Sequence, residues 1–287
     1  MVLSPSACSP ALLATAAIIG PALISGCLVG LSMGLTGGGG AILAVPLLVY
    51  WLGEDPQVAV VISLATVAGT AVLGTAERAR LGQVEFPTGL LFAAAGMVTA
   101  PLGSWLGERV PPQLLLVAFA LLMLLIAMRM WWQADQAIPP PAESCGPEDG
   151  PSCSRDPEGK LRLTSRCAML LATIGLTVGL LSGLFGVGGG FLIVPALVTF
   201  ASMGIARAVG TSLLVMSLVG LAGVAGHLWQ GRVVPWEVTL LFVAGSVPGL
   251  FIGSALTRQL PRPLLSRIFA GMILAVAVFM IARPAFG

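Results

Sequence analysis

A twenty-residue segment with a glycine cluster at its centre occurs twice in this chain, at a constant offset of 149 residues. Residues 29–48 read VGLSMGLTGGGGAILAVPLL, and residues 178–197 read VGLLSGLFGVGGGFLIVPAL. Twelve of the 20 aligned positions are identical without a gap. Both copies lie inside long apolar runs. Duplicated hydrophobic segments that are interrupted by glycines are typical of the binding sites of membrane transporters.

The similarity continues well beyond these two segments. Ser63 corresponds to Ser212 at the same offset, and the turn GQV at residues 82–84 corresponds to GRV at residues 231–233. Internal repeats of this length indicate a duplicated unit rather than a solenoid, whose period is about 20–50 residues. The sequence therefore predicts a first repeat at residues 1–132, a polar linker rich in proline, glycine and acidic residues at 133–164, and a second repeat at 165–287.

The composition excludes an ordinary soluble domain. Only 9% of the residues are charged and 57% are hydrophobic, whereas soluble domains carry about 25% charged residues. Apolar runs recur that are long enough to cross a hydrocarbon core about 30 Å thick as helices. They lie at residues 58–76, 86–106, 112–132, 209–226, 238–256 and 264–282. We predict an all-α polytopic membrane protein whose surroundings are the lipid bilayer and which has no nucleic-acid partner. A β-barrel is disfavoured because the runs do not alternate.

The two glycine-broken runs, residues 11–52 and 167–201, are too long for one span and leave the topology open. Each run can cross as a discontinuous helix, which gives parallel repeats. Each can instead enter, break and return as a re-entrant pair, which leaves three full spans per copy and inverts the second copy. With the linker in the cytoplasm, the inverted arrangement leaves three basic residues outside and the parallel arrangement leaves five. Because cytoplasmic loops are enriched in Lys and Arg, we expect inverted repeats in a bacterial inner membrane.

The glycine clusters, together with the helices predicted after them, can form a binding site. Glycine adopts positive φ angles and lets a ligand approach the backbone closely. The first amides of a following helix have no intrahelical partner, and the helix dipole places about half a positive charge there. We predict short helices from about residues 41 and 191, with Pro46 and Pro195 about one and a half turns inside them. Such a terminus favours an anion. Close helix packing is the alternative, and we prefer it for Gly30-xxx-Gly34 and Gly179-xxx-Gly183.

The polar residues inside the spans are mostly hydroxyls. No Asp, Glu, Lys or Arg lies in the middle of a predicted span, which disfavours a cation exchanger. The hydroxyls are Thr36, Ser63, Thr66, Thr70, Thr211, Ser212 and Ser217. They suit a small, weakly hydrated anion, unless they bond only to carbonyls of their own helices. His227 is interpreted as an interfacial polar residue rather than a proton switch. Cys145 and Cys153 have no histidine nearby, and we expect neither a metal nor a cofactor.

The paired motif G-x-x-x-G-L-x-G-x-G-G-G-x-x-x-x-P, with the serine segment and the GQV or GRV turn after it, resembles the TauE/SafE sulfite-exporter family of membrane permeases. The first copy departs from the motif because Ala41 replaces its last glycine. The resemblance implies transport of sulfite, sulfonates or related organosulfur anions. It also implies that the pathway is lined by Gly37, Gly39, Gly40, Pro46 and Ser63, and by Gly186, Gly188, Gly189, Pro195 and Ser212.

Three functions are compatible with these features. The first is a secondary transporter for a small sulfur-containing anion, which exposes a central site alternately to each side. The second is an anion channel of the same architecture, and the third is a membrane scaffold or sensor that transports nothing. An enzyme is the least supported class, because no paired carboxylates and no Ser-His or Cys-His set lie at a common depth.

Overall fold

The computed structural model describes residues 10–135, 165–186, 188–200, 203–232 and 234–256, together with Gly271, Leu274 and Val278. These residues form helices and connecting turns, with no strand among them. The first half contains α1 (Pro10–Thr36), a 3₁₀ helix (Gly39–Leu43), α2 (Ala44–Tyr50), α3 (Pro56–Arg80), α4 (Phe86–Arg109) and α5 (Pro112–Asp135). The second half contains α6 (Ser165–Phe185), α7 (Gly190–Phe200), α8 (Ile205–Trp229) and α9 (Trp236–Leu256). The linker from residue 136 onward and most of the predicted span at 264–282 lie outside the described residues.

Within the described residues, six helices are long and apolar enough to cross a membrane. They are Ile19–Thr36, Pro56–Arg80, Phe86–Arg109, Ala168–Phe185, Ala206–Trp229 and Trp236–Leu256. Their outer faces carry large exposed hydrophobic side chains, such as Val98 and Met169, which are 68% and 69% exposed. Soluble monomers rarely expose large contiguous apolar surfaces. The chain is therefore an all-helical, multi-pass membrane protein, as the composition predicts.

The two longest central helices, α3 and α8, end in the same turn. After α3, the amide of Gly82 donates to the carbonyl of Ala79 and the amide of Gln83 donates to that of Arg78, both at 3.0 Å. The equivalent bonds after α8 join Gly231 to Leu228 and Arg232 to His227, at 3.0 and 3.1 Å. Gly82 and Gly231 have φ angles of 67° and 79°. Both turns are therefore Schellman motifs, which require the left-handed conformation that glycine adopts most easily.

Helices α3 and α8 pack against each other in the middle of the structure and run in opposite directions. In the first turn of α3, Gln57 accepts a hydrogen bond at 2.6 Å from Arg232, in the turn that follows α8. At the other end, the amide of Glu85 donates at 3.0 Å to the hydroxyl of Thr211, near the start of α8. The start of each helix therefore lies beside the end of the other.

The outer helices pack through glycines, and each pair joins the two predicted repeats. Helix α1 packs on α9, and α6 packs on α4. A Cβ atom added to Gly30 or Gly34 would collide with the carbonyl oxygen of Ser246 or Leu250. On the other pair, Gly179 and Gly183 press in the same way on the carbonyl oxygens of Gly96 and Ala100. The packing role predicted for these two Gly-xxx-Gly pairs is confirmed, since the backbones approach too closely for any side chain.

Candidate functional site

The two glycine breaks lie against each other in the interior of the structure. A Cβ atom added to Gly38 would lie 2.6 Å from the sulfur of Met216 and 2.8 Å from the Cα of Gly190. A Cβ atom added to Gly190 would lie 2.8 Å from the Cα of Gly38, although ordinary van der Waals contact begins at 3.4 Å. Only hydrogen atoms fit at these two positions. The breaks of the two duplicated segments therefore meet at one place, with Met216 packed against both.

Each break reverses the direction of the chain. Gly40 lies against Ser32 and Met33 of α1, and Gly189 lies against Val178 of α6. A helix that continued straight would carry Gly40 about 12 Å beyond Ser32, at 1.5 Å per residue. The segments that follow the breaks therefore fold back along the helices that precede them.

Two serines hold the breaks, and each reaches across to the other half of the chain. The hydroxyl of Ser63 on α3 donates to the carbonyl oxygen of Gly186 at 2.6 Å. The hydroxyl of Ser212 on α8 donates to the carbonyl oxygen of Gly37 at 2.5 Å and also contacts that of Val209 at 2.8 Å. Both serines are fully buried. The sequence-predicted residues Ser63, Ser212, Gly37 and Gly186 thus form two matching pairs at the site.

Two valines that the sequence reasoning missed complete these pairs. A Cβ atom added to Gly37 would lie 2.6 Å from the methyl groups of Val209, and one added to Gly186 would lie 2.8 Å from the Cα of Val60. Gly37 and Gly186 have φ angles of 74° and 71°, where other residues are strained. Val60 and Val209 correspond to each other at the offset of 149, so comparison of the two repeats could have identified them.

The two breaks diverge after these matched positions. In the second copy, Gly188 and Gly189 adopt φ angles of 66° and 69°, and α7 begins at the next residue. In the first copy, Gly39 and Gly40 enter a 3₁₀ helix, and α2 begins only at residue 44. The first copy also has Ala41 in place of the last glycine of the motif, which is Gly190 in the second copy.

The prolines occupy different places in the two short helices. Pro195 is the sixth residue of α7, as the sequence predicts. Pro46 is the third residue of α2 rather than one and a half turns inside it, because the residues after the first break wind as a 3₁₀ helix. In the first turn of an α-helix a proline removes no intrahelical hydrogen bond. Pro46 therefore costs α2 no backbone bond.

The hydroxyls inside the spans differ in their hydrogen bonds. Thr36, Thr70 and Ser217 bond to carbonyls of their own helices, at 2.7–2.8 Å, and Thr70 also contacts the hydroxyl of Ser246 on α9. Ser217 follows the alternative that the sequence left open. Thr66 and Ser182 are buried, and their hydroxyls have no hydrogen-bond partner among the described residues. Unsatisfied buried hydroxyls in the interior of a membrane protein are candidates for ligand binding.

Thr66 and Ser182 lie next to the second break. A third buried hydroxyl without a partner among the described residues, that of Ser25, lies on α1. Thr66 follows Ser63 by one turn of α3, and the carbonyl oxygen of Ser182 accepts the amide of Gly186 at 2.9 Å. Thr66 was among the hydroxyls predicted from the sequence. Ser182 was not, since its counterpart in the first repeat is Met33 and the comparison of the repeats gave no signal.

The electrostatic character of the interior is neutral. Among the described residues, the buried polar side chains are serines, threonines and His227. The same part of the chain contains no group of three or more His, Cys, Asp or Glu side chains that could hold a metal ion. Buried carboxylates are the usual ligands of cations and carriers of protons in membrane proteins. A neutral interior with hydroxyl donors is better suited to an anion.

Comparisons with known proteins agree with these features. A sequence model of the family described as "Sulfite exporter TauE/SafE" matches residues 22–280. A "Probable membrane transporter protein" of Xylella fastidiosa (strain 9a5c) is 34% identical over 90% of this chain and 93% of its own length. The "Probable membrane transporter protein YunE" of Bacillus subtilis (strain 168) is 27% identical over 92% of this chain and 97% of its own. No solved structure gave a significant match.

Proposed function

Because the chain belongs to the TauE/SafE family of membrane transporters, we propose that it is a secondary transporter for a small sulfur-containing anion, such as sulfite or an organosulfonate. The observation that carries the proposal is the meeting of the two glycine breaks at Gly38 and Gly190. Transporters of many folds bind substrate where discontinuous helices from two repeats meet near the middle of the membrane.

The substrate class follows from the donors that surround the breaks. Helix α7 begins at Gly190, so its first amides point towards the junction of the two breaks and favour negative charge. The hydroxyls of Thr66 and Ser182 supply further neutral donors. Such a site binds an oxyanion without a fixed cation, so the bound anion is easily released. We propose that Gly37, Gly39, Gly40, Pro46, Gly186, Gly188, Gly189 and Pro195 shape the pathway, and that Ser63 and Ser212 hold its walls.

We also propose that the two repeats are inverted. The antiparallel packing of α3 and α8, which are counterparts in the two repeats, supports this relation. The distribution of basic residues supports it as well. In this arrangement the linker at 133–164 lies in the cytoplasm of a bacterial cell, and both chain termini lie on the opposite side of its inner membrane. Alternating access then consists of movement of one repeat against the other around the two breaks.

The topology can be tested with single cysteines in a chain whose five native cysteines are replaced by serine. Arg283→Cys should react with a membrane-impermeant maleimide on intact spheroplasts. Ser144→Cys, in the linker, should react only after the membrane is opened. A cytoplasmic position 283 would refute the inverted arrangement.

The function can be tested by uptake of radiolabelled sulfite, thiosulfate and sulfoacetate into proteoliposomes, with and without a proton gradient. Saturable uptake of one anion that the unlabelled anion inhibits is the expected result. Conductance without saturation would identify a channel. Absence of flux for all three anions, from protein that elutes as a single symmetrical gel-filtration peak, would overturn the proposal.

A further inference from the structure

A cluster of polar side chains lies at one end of α3 and α8, outside the site described above. The carboxylate of Glu108, at the end of α4, accepts a hydrogen bond at 3.1 Å from Nε of Arg232, in the turn after α8. Another guanidinium nitrogen of Arg232 donates to Gln57 of α3 at 2.6 Å. These side chains and His227 line a small cleft, whose remaining walls are Val60, Gly107, Leu115 and Leu184.

His227, which the sequence analysis interprets as an interfacial polar residue rather than a proton switch, is buried and is the unsatisfied member of this cluster. The residue is 4% exposed, and neither ring nitrogen has a hydrogen-bond partner among the described residues. Its Nδ1 lies 3.9 Å from Oε1 of Glu108, the same oxygen that accepts from Arg232. Buried polar atoms are normally hydrogen-bonded, so a buried imidazole with two open nitrogens that borders a cleft indicates a ligand.

The cleft adjoins the glycine break of the second repeat. Val60, one of its walls, is the residue whose backbone a Cβ atom at Gly186 would touch. Leu184, another wall, precedes that glycine by two residues. A ligand in the cleft is therefore separated from the break only by these apolar residues.

The charges of the cluster depend on one proton. The charged groups that face His227 across the cleft are Glu108 from α4 and Arg232 from the turn after α8, and the residues from α3, α5 and α6 that line it are uncharged. With a neutral imidazole, one carboxylate balances one guanidinium. With a protonated imidazole, the cluster carries one net positive charge. Histidine is the side chain whose charge ordinarily changes between about pH 5 and 8.

We propose that this cleft is a proton-dependent entry site for a small monovalent anion, and that the imidazole of His227 takes up the proton that accompanies it. Protonated His227 pairs with Glu108, which weakens the hold of that carboxylate on Arg232. The guanidinium then binds the anion beside the protonated ring. The inference rests on the proposed function, since it describes how a transported anion reaches the breaks.

At the end of the molecule where α3 ends, an arginine takes the place of this histidine. The counterpart of His227 at the offset of 149 is Arg78, which donates to Gln83 at 2.9 Å and to Ser254 at 3.3 Å. An arginine remains charged at every physiological pH. Because His227 is the single histidine of the chain, a proton dependence that uses an imidazole acts only at the end that carries His227.

The test measures binding of methanesulfonate, whose charge is constant over this pH range, to the purified full-length protein by calorimetry. For the wild type we expect affinity about tenfold higher at about pH 5 than at pH 8, a coupling of ordinary size. His227→Gln keeps a polar side chain but cannot take up the proton, and it should bind with the weaker affinity at both pH values. Trp229→Phe, two residues away and 93% exposed, should behave like the wild type.

A second measurement uses the fact that His227 is the only histidine of the chain. In protein labelled with ¹⁵N-histidine, addition of methanesulfonate at about pH 7 should move the single imidazole signal towards the position of the protonated ring. Binding that is absent, or equal at both pH values, or still pH-dependent in His227→Gln, would overturn the inference. Uptake of the sulfur-containing anions into proteoliposomes is measured separately. Transport with pH-independent binding leaves the proposed function standing, whereas pH-dependent binding without flux leaves only the entry site.

Discussion

The hydroxyl of Ser63 donates a 2.6 Å hydrogen bond to the carbonyl oxygen of Gly186, which lies 123 residues further along the chain. The hydroxyl of Ser212 makes the matching bond to Gly37. Each half of the molecule therefore holds the glycine break of the other half. Each break is held by a hydrogen bond from the central helix of the other half.

Replacement of either serine by alanine should destabilise the break that it holds. In Ser63→Ala or Ser212→Ala a buried carbonyl oxygen loses its side-chain donor, which costs about 1–3 kcal/mol. We expect a lower thermal midpoint in detergent and slower uptake for both variants. Ser217→Ala is the matched control, because Ser217 bonds only to its own helix at Leu214 and its loss should cost less. Equal thermal midpoints for all three variants would show that the two hydrogen bonds between the halves of the chain do not stabilise the fold.

A side chain at the second break should stop transport without preventing insertion into the membrane. Gly188 has a φ angle of 66°, and a Cβ atom there would lie 2.6 Å from a methyl group of Val67. Gly188→Val should therefore show no measurable uptake, although the hydrophobic lengths of its helices are unchanged. Gly20→Val is the control, since the space around Gly20 is open. Uptake by Gly188→Val at the wild-type rate would remove this glycine from the proposed pathway.

Substitution of the glycines that pack α1 against α9 should change the stability of the protein, because this contact supports folding. In Gly30→Ala the added methyl collides with the backbone at Ser246, and overpacking of this kind costs about 1–3 kcal/mol. In Gly69→Ala the nearest atom is 3.8 Å away, and alanine favours a helix over glycine by about 1 kcal/mol. Thermal unfolding in detergent should therefore shift down for the first variant and slightly up for the second. A common direction for both would contradict the packing role.

Much of the fold could be predicted from the sequence because its signals are local. Uninterrupted apolar runs mark the spans, and the duplicated glycines mark the two breaks. The exchange of partners, in which α1 packs on α9 and α6 packs on α4, could not be predicted, since it depends on which helix faces meet in three dimensions. Met216 was missed for a similar reason. Its counterpart in the first repeat is Val67, so comparison of the repeats did not single it out.

The positions of the two glycine breaks could be predicted from the sequence, but the hydrogen-bond partners of the nearby hydroxyls could not. Ser63 and Ser212 correspond in the repeats, and the resemblance placed them along the substrate pathway. In the structure both donors bind backbone carbonyls of the breaks. Matching of the repeats therefore identifies groups that maintain the shared architecture. Groups that bind substrate need not be duplicated, because a single substrate can use one repeat more than the other.

Thr66 provides the sharpest distinction between a structural and a ligand-binding hydroxyl. Its Oγ1 is buried without a hydrogen-bond partner among the described residues, so Thr66→Val removes an unsatisfied polar atom at nearly constant shape. Removal of such an atom should stabilise the protein by about 1 kcal/mol. If the hydroxyl binds the anion, the same substitution should raise the KM for uptake severalfold. Stability and transport would then change in opposite directions.

The control for this experiment lies one turn further along α3. The hydroxyl of Thr70 contacts that of Ser246 at 2.5 Å and bonds to the carbonyl of Thr66 at 2.8 Å. Thr70→Val should therefore lower the thermal midpoint and leave KM unchanged, because it removes the bond between α3 and the Ser246 hydroxyl, which keeps only its bond to the carbonyl of Val243, and it removes no proposed substrate ligand. Thermal unfolding and saturation kinetics of both variants suffice for the comparison. A Thr66→Val variant that is less stable than the wild type, with unaltered KM, would assign Thr66 to the framework rather than to the anion.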